Sequence, residues 1–295
     1  MADNPGPYTF DGTCSYLIGR GDVAVIDPGP DDEAHVDALL AALGPGERIT
    51  HILVTHTHSD HSPASRALQA RTGAPTHGFG PQLRLDDPDP THVEFAEGVL
   101  PPPDPDAPPP PPRGGDRDFR PDVVVRDGDV IEGDGWSLDA VHTPGHATNH
   151  LCYLVREEGA LCTGDHVMGW ATTVVSPPDG NLSEYLASLE QLLARPQDRR
   201  YLPAHGPPVD DPHTLVRARL VHRRRRSDQV LDALAVSPAT IGELVPQLYV
   251  DTAKEVWPAA AASLYAQLLH LEALGSVEAE DGPPLQRASR VRLTG

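Results

Sequence analysis

Three histidines and one aspartate lie within the segment THTHSDHS, which spans residues 55–62. They are His56, His58, Asp60 and His61. Because an extended segment alternates its side chains, His56 and His58 can face one ion while the other two turn towards a second. Neutral imidazole and carboxylate oxygen bind Zn²⁺ at about 2.0 to 2.2 Å, and two such ions about 3.5 to 4 Å apart form a hydrolytic pair. The segment therefore indicates a metal site that needs further ligands from elsewhere.

Three further candidate ligands follow apolar runs later in the sequence. They are His146 in HTPGH, Asp165 in TGDH and His205 in PAHG. Each stands beside glycine or proline after a strand-like run, a setting in which a rigid strand presents a side chain at the edge of a sheet. One such histidine alone is often a solvated loop residue, but seven residues of these types in concert favour metal chemistry.

The hydrophobic pattern predicts the elements that must position these residues. Alternating runs predict strands at SYLIGR and DVAVIDPG, a helix follows over residues 31–44, and THILVTH predicts a buried strand that leads into the histidine cluster. A short helix near residues 64–71, a second block of strands, a helix over residues 183–194 and a strand at RRYLPAHG complete the order. We therefore expect two sheets with helices outside them, a layered α/β sandwich.

The succession HxHxDH, TPGH, GD and HG, with these separations, resembles the metallo-β-lactamase superfamily over nearly all of residues 8–210. The resemblance implies an αββα metallo-β-lactamase sandwich that binds two metal ions. One ion would be held by His56, His58 and His146 and the other by Asp60, His61 and His205, with Asp165 bridging them. We expect two Zn²⁺ ions, with Mn or Fe as alternatives because availability can override affinity. No cysteine takes a ligand position, so the superfamily name does not imply antibiotic hydrolysis.

The predicted activity is hydrolysis by a zinc-dependent enzyme. Two metal ions would lower the pKa of a bridging water towards 7 and so supply a metal-bridging hydroxide at neutral pH. Asp60 is the expected catalytic residue, since it could accept the proton of this water and aim the water at the substrate. Four further residues are candidates for contacts to the ligands or to the substrate, namely His150, His166, Thr172 and Thr173.

The sequence predicts two domains. Residues 1–210 would form the catalytic metallo-β-lactamase domain, interrupted by a proline-rich insertion over residues 101–118 whose prolines forbid helix and sheet pairing. Residues 211–295 would form a small, mostly helical domain. Its three helical segments and two short strand-like segments predict a winged-helix arrangement.

Charge and hydropathy restrict the class of protein. The formal net charge of −20 argues against nucleic-acid binding by the whole surface. Residues 213–295 carry ten basic and nine acidic side chains, so nearly all of the net negative charge lies before them. The sequence has no run of about 18 apolar residues and no apolar leader, which predicts a soluble, cytoplasmic protein without a membrane partner.

Two hypotheses for the substrate stay open, and the sequence does not fix the oligomeric state. The N-terminal segment, residues 164–192 and the C-terminal domain resemble the lactamase-beta-like group, whose known animal member is a single-strand endoribonuclease. RNA would be contacted by the basic run Arg223–Arg226, unless this run is a solvated helix face that pairs with the acidic domain. The alternative is hydrolysis of a small ester or thioester, as in the glyoxalase II branch. Hydrolysis of β-lactams is less favoured, and a non-catalytic binding module is poorly supported.

Overall fold

A computed structural model describes residues 1–82, 93, 95 and 115–295 of the chain. Most of the predicted proline-rich insertion, residues 101–114, lies outside the described residues. Within the described part, ten strands form two five-stranded sheets, and six α-helices and a two-stranded ribbon complete the structure. None of the described helices is both long enough and apolar enough to cross a membrane.

The first sheet has the strand order β1-β2-β3-β4-β5. Its strands are β1 (Tyr16–Ile18), β2 (Asp22–Ile26), β3 (Arg48–Leu53), β4 (Thr76–Gly78) and β5 (Val123–Val124). The pair β1–β2 is antiparallel and the other three pairs are parallel. Two helices accompany these parallel strands, α1 (Glu33–Ala41) and α2 (Ser65–Thr72). Asp32 caps α1 by accepting a hydrogen bond from the Ala34 amide at 2.9 Å, and Gly73 ends α2 in the left-handed conformation.

The second sheet has the strand order β10-β9-β8-β7-β6. Its strands are β6 (Val130–Gly133), β7 (Trp136–His142), β8 (Leu151–Val155), β9 (Ala160–Gly164) and β10 (Arg200–Pro203). All pairs are antiparallel except β9–β10, which is parallel and is connected through helix α3 (Leu182–Leu193). Asn181 caps this helix by accepting a hydrogen bond from the Glu184 amide at 3.2 Å.

The two sheets face each other, and each divides its side chains between an inner and an outer core. In β8, Leu151, Tyr153 and Val155 lie in the core between the sheets, whereas Cys152 and Leu154 lie in the core under α3. The first sheet divides its side chains in the same way between the inner core and the core under α1 and α2. The four layers are helix, sheet, sheet and helix, which confirms the predicted αββα sandwich.

The C-terminal part consists of three helices and a ribbon, as the sequence predicts. Its elements are α4 (Pro212–Val236), α5 (Ile241–Leu248), α6 (Trp257–Ala273), β11 (Val277–Ala279) and β12 (Val291–Leu293). A capping box between Thr240 and Glu243 starts α5, and the two strands pair antiparallel. Apolar side chains of all five elements form one core, so this part packs as a winged-helix domain.

Helix α4 contributes to two cores. Val216 and Leu220, near its start, lie in the core under α3, whereas Val230 and Leu234, near its end, lie in the core of the winged-helix domain. The helix therefore joins the two parts of the chain by packing as well as by the backbone. The predicted domain limit at residues 210 and 211 stays a prediction, since this helix belongs to both cores.

We predict that Val216→Ala lowers the free energy of unfolding by about 2 kcal/mol, because two buried methyl groups are lost. Val216 is 0% exposed. The matched control is Val221→Ala, which makes the same change on the same helix at a side chain that is 62% exposed. We expect this control to change stability by less than about 0.5 kcal/mol. Urea unfolding of the three proteins measures the difference, and equal losses in both variants would contradict the packing of α4 described above.

Candidate metal centre

The seven predicted ligands all lie on loops that follow strands, at one edge of the sandwich. The loop after β3 carries four of them, the loop after β7 carries His146, and Asp165 directly follows β9. His205 follows β10. The carboxyl ends of strands from both sheets thus meet at this edge, which brings residues that are far apart in the sequence together.

The ligand atoms form two clusters, and within each cluster they lie within 4.8 Å of one another. The first cluster consists of His56, His58, His146 and Asp165, and the second of Asp60, His61 and His205. In the first cluster, His58 Nδ1 lies 2.9 Å from His56 Nε2 and 3.0 Å from His146 Nε2. Three imidazole nitrogens therefore converge on one point, as the ligands of one ion would.

The carboxylate of Asp165 lies between the two clusters. Its Oδ2 is 3.5 Å from Nε2 of His146 in the first cluster. Its Oδ1 is 3.2 Å from Nε2 of His205 and 3.6 Å from Nε2 of His61 in the second cluster. One oxygen thus faces each cluster, which is a geometry in which a carboxylate can bridge two ions.

Asp27, which is not among the ligands predicted from the sequence, orients ligand histidines on the side away from the centre. It is 2% exposed, and its Oδ2 accepts hydrogen bonds from His61 Nδ1 at 2.9 Å and from Thr55 Oγ1 at 2.7 Å. Thr55 Oγ1 in turn lies 3.0 Å from His56 Nδ1. One buried carboxylate therefore fixes a histidine of each cluster so that Nε2 faces the centre, which is a common arrangement around metal ligands.

Other outer contacts hold the remaining ligands. His146 Nδ1 donates to the carbonyl oxygen of Val174 at 2.7 Å, and His205 Nδ1 donates to that of Gly12 at 3.2 Å. Thr13 Oγ1 donates to Asp60 Oδ2 at 3.0 Å. The N-terminal loop therefore supports two residues of the second cluster.

The four further candidate residues take different positions. His150 Nε2 accepts a hydrogen bond from the Asp165 amide at 3.2 Å, and Thr173 Oγ1 donates to the Asp165 carbonyl oxygen at 2.7 Å. Both therefore support the backbone of Asp165. His166 is buried, and its ring centroid lies 5.8 Å from that of His150 and 4.8 Å from that of Tyr185. Neither of its nitrogens has a hydrogen-bond partner within the described residues. Thr172 is partly exposed on the same loop.

Strand order could have identified Asp27 from the sequence. It follows β2, which is the parallel neighbour of β3, so the carboxyl ends of both strands share an edge. Its φ of 51° turns the chain at this point, which is uncommon for a residue other than glycine. Thr13 carries no comparable signal, because its loop approaches the site only in the folded structure.

The electrostatics differ between the two clusters. Burial, together with the neighbouring imidazoles, holds the pKa of His56 well below its usual value, and it lowers the pKa of His146 to about 4. At His205 burial would lower the pKa, but the carboxylates of Asp165 and Asp60 outweigh burial and raise the pKa to about 10. The first cluster thus offers neutral imidazole lone pairs, and the second attracts positive charge. A cation would therefore meet free lone pairs in the first cluster, and in the second it would displace the proton of His205.

The unpaired atoms at the centre fit metal ions. Within the described residues, the buried atoms His61 Nε2 and Asp165 Oδ1 have no hydrogen-bond partner. Buried polar atoms are normally paired, so unpaired atoms that face one another call for a ligand. All seven donors are nitrogen or oxygen atoms, a set that suits Zn²⁺ and also Mn or Fe.

We predict that Asp27→Asn weakens metal binding about 10- to 100-fold, a usual effect of losing such an outer contact. Asp27 accepts at Oδ2 from His61 and the Thr55 hydroxyl and at Oδ1 from the Thr55 amide, whereas asparagine has only one accepting oxygen. Its NH2 group must therefore face at least one of these donors, which weakens the orientation of His61 and, through Thr55, of His56. Asp22→Asn is the matched control, because Asp22 lies at the other end of β2 and pairs with Arg48 at 2.7 Å. Competition with a chelator measures the affinity. If both variants bind as tightly as the parent, Asp27 does not support the site.

Two family models match the chain. The Metallo-beta-lactamase superfamily matches residues 8–205, and the Beta-lactamase associated winged helix domain matches residues 240–284. An atrochrysone carboxyl ACP thioesterase of Cryptosporiopsis sp. (strain 8999) is 30% identical over 239 residues, which cover 79% of this chain and 61% of that protein. The chain thus spans less than two thirds of the length of this relative. The lactamase-like protein aptB of Emericella nidulans is 30% identical over 99% of this chain and 86% of its own length.

Two solved structures share the fold over nearly the whole chain. A metallo-beta-lactamase family protein from Thermus thermophilus has 22% sequence identity and a TM-score of 0.69, with 98% of this chain and 96% of that chain covered. A beta-lactamase domain protein from Burkholderia ambifaria has 22% identity and a TM-score of 0.73, with 98% and 91% covered. The narrower resemblance to the endoribonuclease group stays a prediction. The chain belongs to the metallo-β-lactamase superfamily of hydrolases and carries a β-lactamase-associated winged-helix domain.

Proposed function

We propose that the protein is a dinuclear, zinc-dependent hydrolase that cleaves acyl thioesters. The observation that carries the proposal is the position of Asp165, with one carboxylate oxygen towards each cluster of ligand atoms. The proposed ligands are His56, His58 and His146 for one ion and Asp60, His61 and His205 for the other, with Asp165 shared. Seven nitrogen and oxygen donors are too many for one four-coordinate ion. Their number therefore supports a site with two ions.

Bound divalent ions would supply an activated water at neutral pH and polarise the carbonyl group of the substrate. We assign to Asp60 the role of orienting this water and accepting its proton. Its side chain is 23% exposed, and Thr13 fixes the carboxylate by donating to Oδ2. In the reaction the carbon–sulfur bond breaks, a carbon–oxygen bond from water forms, and the proton ends on the released thiol.

The comparisons support a thioester as the substrate. The names of several similar proteins describe thioesterases that act on an acyl group carried by an acyl carrier protein. A thioester is the alternative substrate class that the sequence predicts. The ligand set is the same for either class, so the choice depends on the surface around the centre and on these relatives.

The contacts of the arginine run weigh against RNA. Arg223 is 6% exposed and donates to the Thr173 carbonyl oxygen. Arg226 donates to the Leu248 carbonyl oxygen at 2.6 Å and stacks over the Tyr249 ring. Arg224 is exposed but lies 3.6 Å from Glu190. A continuous row of arginines that could follow an RNA backbone is therefore broken by packing.

We predict that the zinc-loaded protein releases thiol from acyl thioesters of N-acetylcysteamine and does not cleave single-stranded RNA. Asp165→Ala should lower thioester hydrolysis by at least about 1,000-fold, since a ligand shared by both ions is lost and electrostatic stabilisation is the largest contribution to such catalysis. Asp228→Ala, an exposed position on α4, is the control and should keep full activity. RNA cleavage that depends on Asp165, with thioesters left intact, would overturn the proposed substrate class.

A further inference from the structure

Three exposed aromatic side chains lie on two loops that contact residues of the metal centre. Among the described phenylalanine, tyrosine and tryptophan residues, the most exposed are Tyr8, Phe10 and Trp170, at 48%, 40% and 36%. The first two lie on the N-terminal loop that supports the second cluster, and Trp170 lies on the loop that follows Asp165. Aromatic side chains usually bury most of their surface, and exposed apolar groups that adjoin one another mark a binding surface.

Phe10 and Trp170 stack on each other, and we call this pair the aromatic platform. Their ring centroids are 5.0 Å apart and their planes are inclined by 27°. More than a third of each residue still faces solvent, so the platform combines a rigid pair of rings with free aromatic surface. A planar aromatic group gains from contact with such rings beyond its buried area, because offset and edge-on arrangements satisfy the ring quadrupoles.

The backbone holds Phe10 in an unfavourable conformation. Its φ is 56°, in the left-handed region that bulky side chains rarely adopt. Two hydrogen bonds with Gly6 fix the residue, from Phe10 N to Gly6 O at 2.9 Å and from Gly6 N to Phe10 O at 3.1 Å. Residues held in this way are found mostly at functional sites, where the surrounding structure compensates for the strain.

The backbone near each platform residue forms a hydrogen bond with His205. On the side of Phe10, the Gly12 carbonyl oxygen accepts the hydrogen bond of His205 Nδ1 at 3.2 Å. On the side of Trp170, the Gly169 amide donates to the His205 carbonyl oxygen at 3.1 Å. Trp170 also packs on Gly206, where a Cβ atom would come within 2.9 Å of the indole ring. The platform therefore lies beside the second cluster and in a fixed relation to it.

We propose that the aromatic platform binds the acyl group of the substrate and makes the enzyme prefer planar, aromatic acyl groups to saturated ones of equal size. The inference rests on the proposed thioesterase function. When the carbonyl carbon lies at the metal centre, the acyl group extends along the rim that Phe10 and Trp170 form. Its ring then stacks on the platform, whereas a puckered saturated ring buries area without stacking.

Two thioesters of N-acetylcysteamine test the proposal, phenylpropanoyl and cyclohexylpropanoyl. Both acyl groups have the same number of carbon atoms and the same propanoyl chain next to the thioester. They differ only in the ring, which is planar in phenyl and puckered in cyclohexyl. The parent enzyme should prefer the phenyl substrate in kcat/KM by about 2- to 10-fold, as expected for one aromatic contact. In Trp170→Leu the ratio of kcat/KM for the phenyl substrate to that for the cyclohexyl substrate should fall towards one, mainly because KM for the phenyl substrate rises. Trp170→Phe should restore most of the ratio. Tyr249→Leu, in the winged-helix domain, should keep the preference of the parent.

A preference unchanged in Trp170→Leu, or an equal loss for both substrates, would overturn the proposal. A second measurement separates this failure from that of the proposed function. If the parent hydrolyses neither thioester, the thioesterase proposal fails, and titration calorimetry with phenylpropanoate and cyclohexylpropanoate then tests the platform directly. The zinc-loaded parent should bind phenylpropanoate more tightly by the same factor, and Trp170→Leu should bind both acids equally. Equal binding of the two acids by the parent would also overturn the proposal.

Discussion

The burial of one carboxylate, that of Asp165, is the constraint on which the rest of the site depends. Burial would raise the pKa of Asp165, but the imidazoles of His205 and His61 outweigh it and hold the pKa well below its usual range. The group therefore stays charged, and a buried charge must be paired or coordinate a metal ion. Two clusters of ligand atoms, one facing each oxygen, meet this need once cations are bound.

The scaffold around Asp165 extends into the C-terminal part of the chain. Thr173 donates to the Asp165 carbonyl oxygen, and Arg223 of α4 donates to the Thr173 carbonyl oxygen. The same arginine lies over the Tyr185 ring, with its guanidinium carbon 5.2 Å from the ring centroid. Because α4 belongs to both cores, the winged-helix domain is connected to the loop after Asp165 through a short series of contacts. This arrangement gives the basic helix a structural role in the catalytic domain.

Strand and helix patterns predicted the layered α/β sandwich, the winged-helix domain and the seven candidate ligands at strand ends, because these are local features. The αββα architecture and the division of the ligands between two ions were implied by the resemblance to the superfamily. The sequence did not identify Asp27 or Thr13, whose roles depend on partners 34 and 47 residues away. For the arginine run it left two alternatives open, RNA contact or a solvated helix face that pairs with the acidic domain, and neither included a buried arginine. Burial of Arg223 against Thr173 could not be predicted, because a helix pattern does not specify which distant loop packs on it. Strand β4 was also missed, since three residues carry too little pattern.

The most direct test of the account is anomalous diffraction from crystals of the zinc-saturated protein, recorded on both sides of the zinc absorption edge. Two peaks are predicted, about 3.5 to 4 Å apart, as in other two-metal hydrolytic sites. One should lie among the imidazoles of His56, His58 and His146 and the other beside His61 and His205, with the Asp165 carboxylate between them. A single peak at saturation, or two peaks that Asp165 does not separate, would contradict the account.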